Sequence, residues 1–124
     1  MHEQIVRLLF DRVREIMGEP EAELNFMKRE KAKDNRHYIA GYINLKTKLI
    51  VLDIYTPKTM KPKSMNGMIR VLAHEFAHIQ KPPYRQFHRG RWIIRQHYPG
   101  FYKQVEKNIE KIKKDPALSV HFRI

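Results

Sequence analysis

The sequence of 124 residues contains no cysteine. Disulfide bonds, a thiolate metal site and a cysteine nucleophile are therefore excluded. The longest aliphatic run is Leu49–Leu52, far short of the roughly 20 apolar residues that span a bilayer. The first 17 residues carry several charged side chains and lack the uncharged centre of a secretory signal. We therefore expect a protein that does not cross a membrane and that resides in the cytoplasm or the nucleus.

Acidic side chains are scarce, with 13 Asp+Glu against 25 Lys+Arg and a net charge of +12. Residues 1–56 have a net charge of +1, whereas residues 57–124 have 15 basic and 4 acidic side chains, a net charge of +11. A polyanion gains affinity for such a surface because each neutralised phosphate releases counterions. A basic surface can also serve solubility alone. Nucleic acid is the partner that this charge favours.

Hydrophobic periodicity predicts an α+β protein that forms one domain over residues 1–124. Apolar residues at helical spacing predict an amphipathic helix over residues 3–17. A short strand is predicted at Glu23–Lys28, and the β-rich composition from His37 to Tyr55 predicts a hairpin. The layout is a small antiparallel sheet that follows an N-terminal helix.

Two further helices are predicted in the second half of the chain. Ser64 can cap the first of them, and Lys81-Pro82-Pro83 ends it because proline lacks an amide proton and clashes with the preceding turn. The last helix is predicted from about Arg89 to Lys114, with a kink at Tyr98-Pro99-Gly100.

The residues His74-Glu75-Phe76-Ala77-His78 form the motif H-E-x-x-H within the first of these helices. We call this helix the metal helix. Positions four apart are neighbours on one helix face, with Cβ atoms about 5–6 Å apart, so His74 and His78 can bind one zinc ion. Glu75 lies beside the ligands and can act as general base towards a water. A chain with 7 His and 9 Glu would contain this pattern by accident about 0.03 times. The motif therefore predicts a zinc hydrolase.

A catalytic zinc site needs a third protein ligand, with water in the fourth position. The candidates downstream are His88, His97, Glu106, Glu110 and His121. The extended motif H-E-x-x-H-x-x-G-x-x-H is excluded, because Lys81 and Tyr84 occupy its glycine and last histidine positions. We favour His88, which precedes the last predicted helix and could fold back over the metal helix. The other four candidates stay open.

Aromatic and basic residues alternate after Pro83, a pattern that can stack bases while binding phosphates. The basic candidates for nucleic-acid binding are Arg85, Arg89, Arg91, Arg95, Lys103, Lys107 and Lys111. Packing is the stronger explanation for the rings of Trp92, Phe101 and Tyr102, which we expect to hold the last helix against the sheet and the metal helix. An oxyanion-stabilising residue stays unassigned.

The stretch Val71–Ile79, followed by His88-Arg89-Gly90-Arg91-Trp92, resembles the SprT-like, WLM and YgjP-like minimal zincin metallopeptidases. Those families have a third histidine after a short variable loop and an aromatic residue about four positions beyond it, which His88 and Trp92 match. The segment Tyr98–Tyr102 also resembles the segment that follows this aromatic residue. The likeness covers roughly residues 38–105 and is specific only around the histidines.

The resemblance implies a minimal zincin fold with one zinc ion. It also implies that an edge strand at Leu49–Tyr55 lines the cleft and pairs with an extended substrate, so that Leu49, Val51 and Asp53 bind substrate. In the SprT-like and WLM groups, the implied task is cleavage of proteins that are bound or crosslinked to DNA. The sequence departs from many SprT-like proteins in lacking a cysteine-rich zinc ribbon.

Three functions are compatible with these features. The first is a monomeric zinc endopeptidase that acts on proteins at DNA, in the repair of DNA–protein crosslinks. The second is a nucleic-acid-binding module without enzymatic activity, in which the metal is structural. The third is a peptidase with one dedicated protein target, for which the positive charge is incidental.

Overall fold

The computed structural model describes residues 2–27, 40–56 and 59–122. In these ranges the chain forms three α-helices, a three-stranded sheet and a two-stranded sheet, an α+β arrangement. In chain order the elements are α1 His2–Met17, β1 Glu23–Phe26, β2 Gly41–Asn44, β3 Leu49–Leu52, α2 Met65–Gln80, β4 Tyr84–His88, β5 Arg91–Arg95, α3 Pro99–Lys113 and a short 3₁₀ helix at Ser119–Phe122. None of the described helices has the length and apolar character needed to span a membrane.

The N-terminal helix follows the sequence prediction, whereas the first sheet is mixed and not antiparallel as predicted, because β1 runs parallel to β3. The side chains that α1 buries recur every three or four residues, as an amphipathic helix requires: Val6, Leu9, Phe10, Val13 and Met17. The predicted hairpin is confirmed as β2 and β3, which pair antiparallel with Tyr42 opposite Val51. The predicted strand at Glu23–Lys28 is confirmed as β1, although Lys28 lies outside the described residues, as do residues 37–39.

The position of β3 in the sheet contradicts the edge-strand prediction. The strand order is β1-β3-β2, because β1 pairs in parallel with β3 on the side opposite β2. Leu49 is half-buried, and Val51 and Asp53 are buried. The segment predicted to face a substrate therefore lies within the sheet, and β2 forms the edge on that side among the described strands. This error arose because the parallel pairing with β1 joins segments about 25 residues apart, and local sequence does not reveal it.

The metal helix begins and ends where the sequence predicts. The Ser64 side chain caps α2 by accepting a hydrogen bond from the Gly67 amide at 3.1 Å. The helix ends at Gln80, directly before Lys81-Pro82-Pro83. Its inner face is fully buried against α1 and the sheet, and the ring of Phe76 packs 5.8 Å from that of Phe10. The H-E-x-x-H residues therefore lie on a helix that is anchored in the buried core.

The prediction of a helix from Arg89 to Lys114 is wrong in its first part. Residues 84–95 form an antiparallel hairpin, in which Phe87 lies opposite Trp92. The turn residues Arg89 and Gly90 both have positive φ, 51° and 82°, as the two-residue type I′ turn of a tight hairpin requires. The predicted kink is instead the start of α3, with Pro99 in its first turn, where a missing amide proton costs nothing.

Candidate metal centre

Two histidines of α2 come together through the geometry of the helix alone. His74 and His78 are one turn apart, and their ring centroids are separated by 5.0 Å. His78 is buried and His74 is half-buried. Glu75 lies between them in sequence and is only 5% exposed. The local motif thus supplies two imidazoles and a buried carboxyl group.

The third histidine of the cluster is His97 rather than His88. One ring nitrogen from each of His74, His78 and His97 lies within 4.8 Å of the other two. The His97 ring centroid is 5.2 Å from that of His74 and 5.0 Å from that of His78. These three histidines are the ones that the structure brings together, whereas the sequence favoured His88 in this place.

The hairpin explains why His97, and not His88, joins His74 and His78. His88 is exposed at the end of β4, directly before the turn, so the chain carries it away from α2. The chain then returns along β5, and His97 follows the end of that strand. At the base of the hairpin, the Tyr98 hydroxyl donates a hydrogen bond to the Pro82 carbonyl at 3.0 Å. This bond joins the chain that enters the hairpin to the chain that leaves it, beside His97.

The other candidate ligands also lie outside the cluster. Glu106 and Glu110 are exposed on α3. His121 lies in the 3₁₀ helix, and its carbonyl accepts a hydrogen bond from the Asn66 side chain. Within the described ranges, His74, His78 and His97 form the only group of three or more potential metal ligands that lie close enough to share one ion.

A buried phenylalanine supports the three imidazoles. Phe101, in the first turns of α3, is fully buried, and its ring centroid lies 4.9 Å from that of His74, 4.5 Å from that of His78 and 5.1 Å from that of His97. The packing prediction for Phe101 is therefore confirmed. Its contacts with the histidines, however, were not anticipated from the sequence.

A polar network fixes α3 against the metal helix. The Asn108 side chain, 2% exposed, donates hydrogen bonds to the Ala73 carbonyl at 3.0 Å and to Gln80 Oε1 at 2.7 Å. Gln104 in turn donates to Asn108 Oδ1 at 3.0 Å. Because Ala73 directly precedes His74, this network sets the position of Phe101 and α3 relative to the histidine pair.

Burial sets the protonation of the site. Burial, together with charge repulsion from His74 and His97, lowers the pKa of His78 to about 4. Burial also lowers the pKa of His74, with a contribution from His97. Both imidazoles are therefore neutral at pH 7 and present a lone pair. Burial raises the pKa of Glu75 to about 7, so that this carboxyl group can gain or lose a proton near neutral pH.

The cluster opens into a cleft of about 460 Å³. One side of the cleft is formed by α2 with His74, Glu75 and His78. The facing side comes from the edge strand and the turn after it, and the end is closed by the base of the hairpin: Gly41, Tyr42, Ile43, Leu45, Pro83, Gln96 and His97. None of the three residues predicted to bind substrate, Leu49, Val51 and Asp53, lines the cleft.

The basic candidates fall on two separate surfaces. Arg85, Arg89, Arg91 and Arg95 belong to the hairpin, whereas Lys103, Lys107 and Lys111 form an exposed row on α3. The packing prediction fails for Trp92, which is 61% exposed, and for Tyr102, which is 52% exposed. The rings of Trp92 and Tyr102 therefore lie on the surface together with most of the basic candidates.

Comparisons with known proteins leave the family open. No protein-family model matches the chain, and no curated protein matches it. Among solved structures, the chain is similar to a crystal structure of the metallopeptidase zymogen abylysin of Pyrococcus abyssi. The likeness covers 98% of this chain and 88% of that chain, with a TM-score of 0.48 and 17% sequence identity. A likeness at this level does not assign a function, which must be inferred from the residues of the chain itself.

Proposed function

We propose that this protein is a zinc-dependent peptidase in which His74, His78 and His97 hold one metal ion and Glu75 is the general base. The observation that carries the proposal is the convergence of three imidazole nitrogens within 4.8 Å beside a buried carboxyl group, in an open cleft. The H-E-x-x-H spacing and the burial of Glu75 support the same chemistry.

The donor set fits zinc. Imidazole is a preferred zinc ligand at about 2.0–2.1 Å, so three ring nitrogens this close together surround a space on the scale of one ion. Structural zinc sites are usually closed by four protein ligands, whereas catalytic sites keep one position open. Three histidines therefore favour a catalytic site over a structural one. When bound, zinc would supply Lewis acidity, which polarises a carbonyl and lowers the pKa of a water towards about 7.

Glu75 is suited to move a proton in this cleft. Its side chain lines the same cavity as those of His74 and His78. With a pKa raised to about 7 by burial in the metal-free protein, it can accept a proton from a water and return it to a leaving amine. The absence of cysteine rules out a thiolate nucleophile, so general-base activation of water is the simplest route to hydrolysis.

The substrate would bind along β2 instead of β3. Tyr42 and Ile43 of this strand line the cleft opposite the metal helix. The side of β2 that faces away from β3 offers backbone groups to which an extended peptide can add as a further strand. A peptide bound in this way would pass directly in front of Glu75.

We further propose that the peptidase is of the SprT-like or WLM type and acts on proteins bound or crosslinked to DNA. The sequence resemblance around the histidines supports this assignment, as does the net charge of +11 in residues 57–124. Cleavage of a DNA-bound protein is expected to be faster than cleavage of the same protein alone. Equal rates with and without DNA would favour a peptidase with one dedicated protein target.

Zinc content tests the metal centre directly. Elemental analysis of the purified protein should give one zinc per chain for the wild type and for His88→Ala, and strongly reduced zinc for His97→Ala. The two variants are matched, because each removes one histidine from the same segment of the chain. Full zinc in His97→Ala together with loss in His88→Ala would overturn the site described here.

Activity tests the role of Glu75. Glu75→Gln should retain zinc and lose cleavage of a casein substrate, because the amide cannot accept the proton of a water. Unchanged proteolysis by this variant would contradict the mechanism. A wild type that binds nucleic acid and hydrolyses no protein with zinc present would favour the non-enzymatic alternative. The observation that supports this alternative is the exposure of Arg85, Arg89 and Arg91 on the hairpin.

A further inference from the structure

The β4–β5 hairpin stands apart from the core. The two strands pack chiefly on each other, and all five residues of β4 are exposed. Tyr98 anchors its base through the hydrogen bond to Pro82 and through ring contact with Tyr84 at 4.9 Å. The far end is the turn of Arg89 and Gly90. The hairpin is therefore an arm held at its base, and the residues of its two strands are exposed except for Ile93 and Arg95, which are half-buried.

The strand register places the largest apolar side chains on one face of this arm. Phe87 lies opposite Trp92, and Arg85 lies opposite Ile94. Because side chains two apart share a face of a strand, these four residues lie together. We call them the aromatic face. Tyr84, Gln86, His88, Arg91, Ile93 and Arg95 belong to the other face.

The aromatic face is unusually open for its composition. Phe87 is 60% exposed, Trp92 is 61% exposed and Ile94 is 66% exposed. The rings of Phe87 and Trp92 meet edge to face, with centroids 5.4 Å apart and planes 61° from parallel. The Arg85 guanidinium carbon lies 5.3 Å from the Trp92 ring centroid, a cation–π contact. Planar rings and a guanidinium thus share one surface.

The charge of the arm has a single sign. Residues 84–95 contain Arg85, Arg89, Arg91 and Arg95 and no aspartate or glutamate. A polyanion on the aromatic face would meet Arg85 on that face and Arg89 at the turn, and residues 84–95 contain no carboxylate that would repel it. Charge complementarity therefore selects a polyanionic partner that also offers flat apolar groups.

We propose that the aromatic face binds single-stranded nucleic acid, with bases stacked on Phe87 and Trp92 and phosphates contacted by Arg85 of the same face and by Arg89 at the turn. Single strands expose both features at once, since their bases are unpaired. This surface deepens the proposed function, because it names the form of nucleic acid contacted. Its test requires neither a bound metal nor peptidase activity.

Two other occupants fit less well. A membrane-inserting hairpin would lead with apolar side chains, whereas the turn of this arm is His88-Arg89-Gly90-Arg91. A second copy of the chain, placed face to face, would bring the arginines of two arms together, and like charges repel. Stacking of unpaired bases uses both the rings and the charge.

Tryptophan fluorescence gives a direct readout, because Trp92 is the only tryptophan of the chain. We expect the fluorescence emission of Trp92 to change when an unlabelled oligothymidine is added, if a base stacks on the indole. An oligothymidine of about 12 nucleotides lies within the roughly 4–16 nucleotides that single-strand-binding modules cover. Affinity is then measured by anisotropy with labelled oligothymidine and with oligouridine of equal length. Binding of either one supports the proposal, and the tighter of the two identifies the natural class.

The variants separate stacking from charge. Trp92→Ala and Phe87→Ala should each weaken oligothymidine binding by roughly 5- to 150-fold, the range found for loss of one stacking ring. Trp92→Phe should retain most of the affinity, because it keeps an aromatic ring. Leu8→Ala, which truncates an exposed apolar side chain on α1, is the matched control and should bind like the wild type. Glu75→Gln should also bind normally, which keeps this test separate from catalysis.

Four results would overturn the proposal. The first is Trp92 emission that stays constant at saturating oligonucleotide, and the second is equal affinity of Trp92→Ala and wild type. The third is Trp92-dependent binding to phosphatidylserine vesicles without any binding to single strands, which would assign the face to a membrane. The fourth is a wild-type dimer that dissociates in Trp92→Ala, which would assign it to a second copy.

Discussion

The buried carboxyl group of Glu75 should cost the metal-free protein stability, and Glu75→Gln should recover it. Burial raises the pKa of Glu75 from an ordinary value of 4.5 to about 7. One pKa unit corresponds to about 1.36 kcal/mol, so the ionised carboxylate lowers the free energy of unfolding by roughly 3 kcal/mol. For a chain of 124 residues, this equals about 8–12 °C in Tm.

The sign of this effect follows from proton linkage. The native state holds the Glu75 proton more tightly than the unfolded chain, so there is no cost below about pH 4.5. The cost grows as the pH rises towards 7 and is complete above it. Glutamine is neutral at every pH. The variant should therefore match the wild type near pH 4.5 and exceed it by roughly 3 kcal/mol at about pH 8.

Urea denaturation in the presence of a chelator measures the difference at both pH values. Glu106→Gln, which neutralises an exposed carboxylate on α3, is the matched control and should show little change with pH. Saturating zinc should reduce the gain, because a nearby cation favours the ionised carboxylate. A gain that is absent at pH 8, or equally large at pH 4.5, would refute the assignment of burial as the cause.

Two packing changes test how the site is built. Asn108→Leu removes the hydrogen-bond donors to the Ala73 carbonyl and to Gln80. It should lower the free energy of unfolding by about 1–3 kcal/mol, measured by urea denaturation. It should also weaken zinc binding, measured by zinc titration. Gly41→Val places a Cβ atom 3.0 Å from Val71 Cγ1, so it should push β2 away from α2. We expect the free energy of unfolding, measured by thermal melting, to fall by about 1–3 kcal/mol, and we expect cleavage to be lost. Unchanged zinc affinity in the first variant, or normal cleavage in the second, would contradict these roles.

Local sequence determined α2 and the pair of histidines on one of its faces. Ser64 and the two prolines set the ends of α2, and the spacing of four between His74 and His78 brings their rings together in any α-helix. The amphipathic first helix and the β2–β3 hairpin were predictable for the same reason, since their periodicity and turn involve residues close in sequence. These features explain why two of the three clustered histidines were predictable from the sequence.

The sequence does contain a local signal for the β4–β5 hairpin. Gly90 follows Arg89 between two segments rich in aromatic and β-branched residues, and a two-residue turn of this kind favours glycine because φ is positive. Had the turn been recognised, His88 would have been placed at the far end of an arm. His97, at the point of return, would then have been the preferred third ligand.

Only the tertiary structure decided which histidine completes the cluster, which strand lines the cleft and which aromatic rings reach the surface. The meeting of His97 with His74 depends on the closure of the hairpin base by Tyr98, and the central position of β3 depends on its pairing with distant β1. The exposure of Trp92 depends on the arm standing free of the core. Each is a contact, or a lack of contact, between segments far apart in sequence, which residue spacing along one helix or strand does not encode.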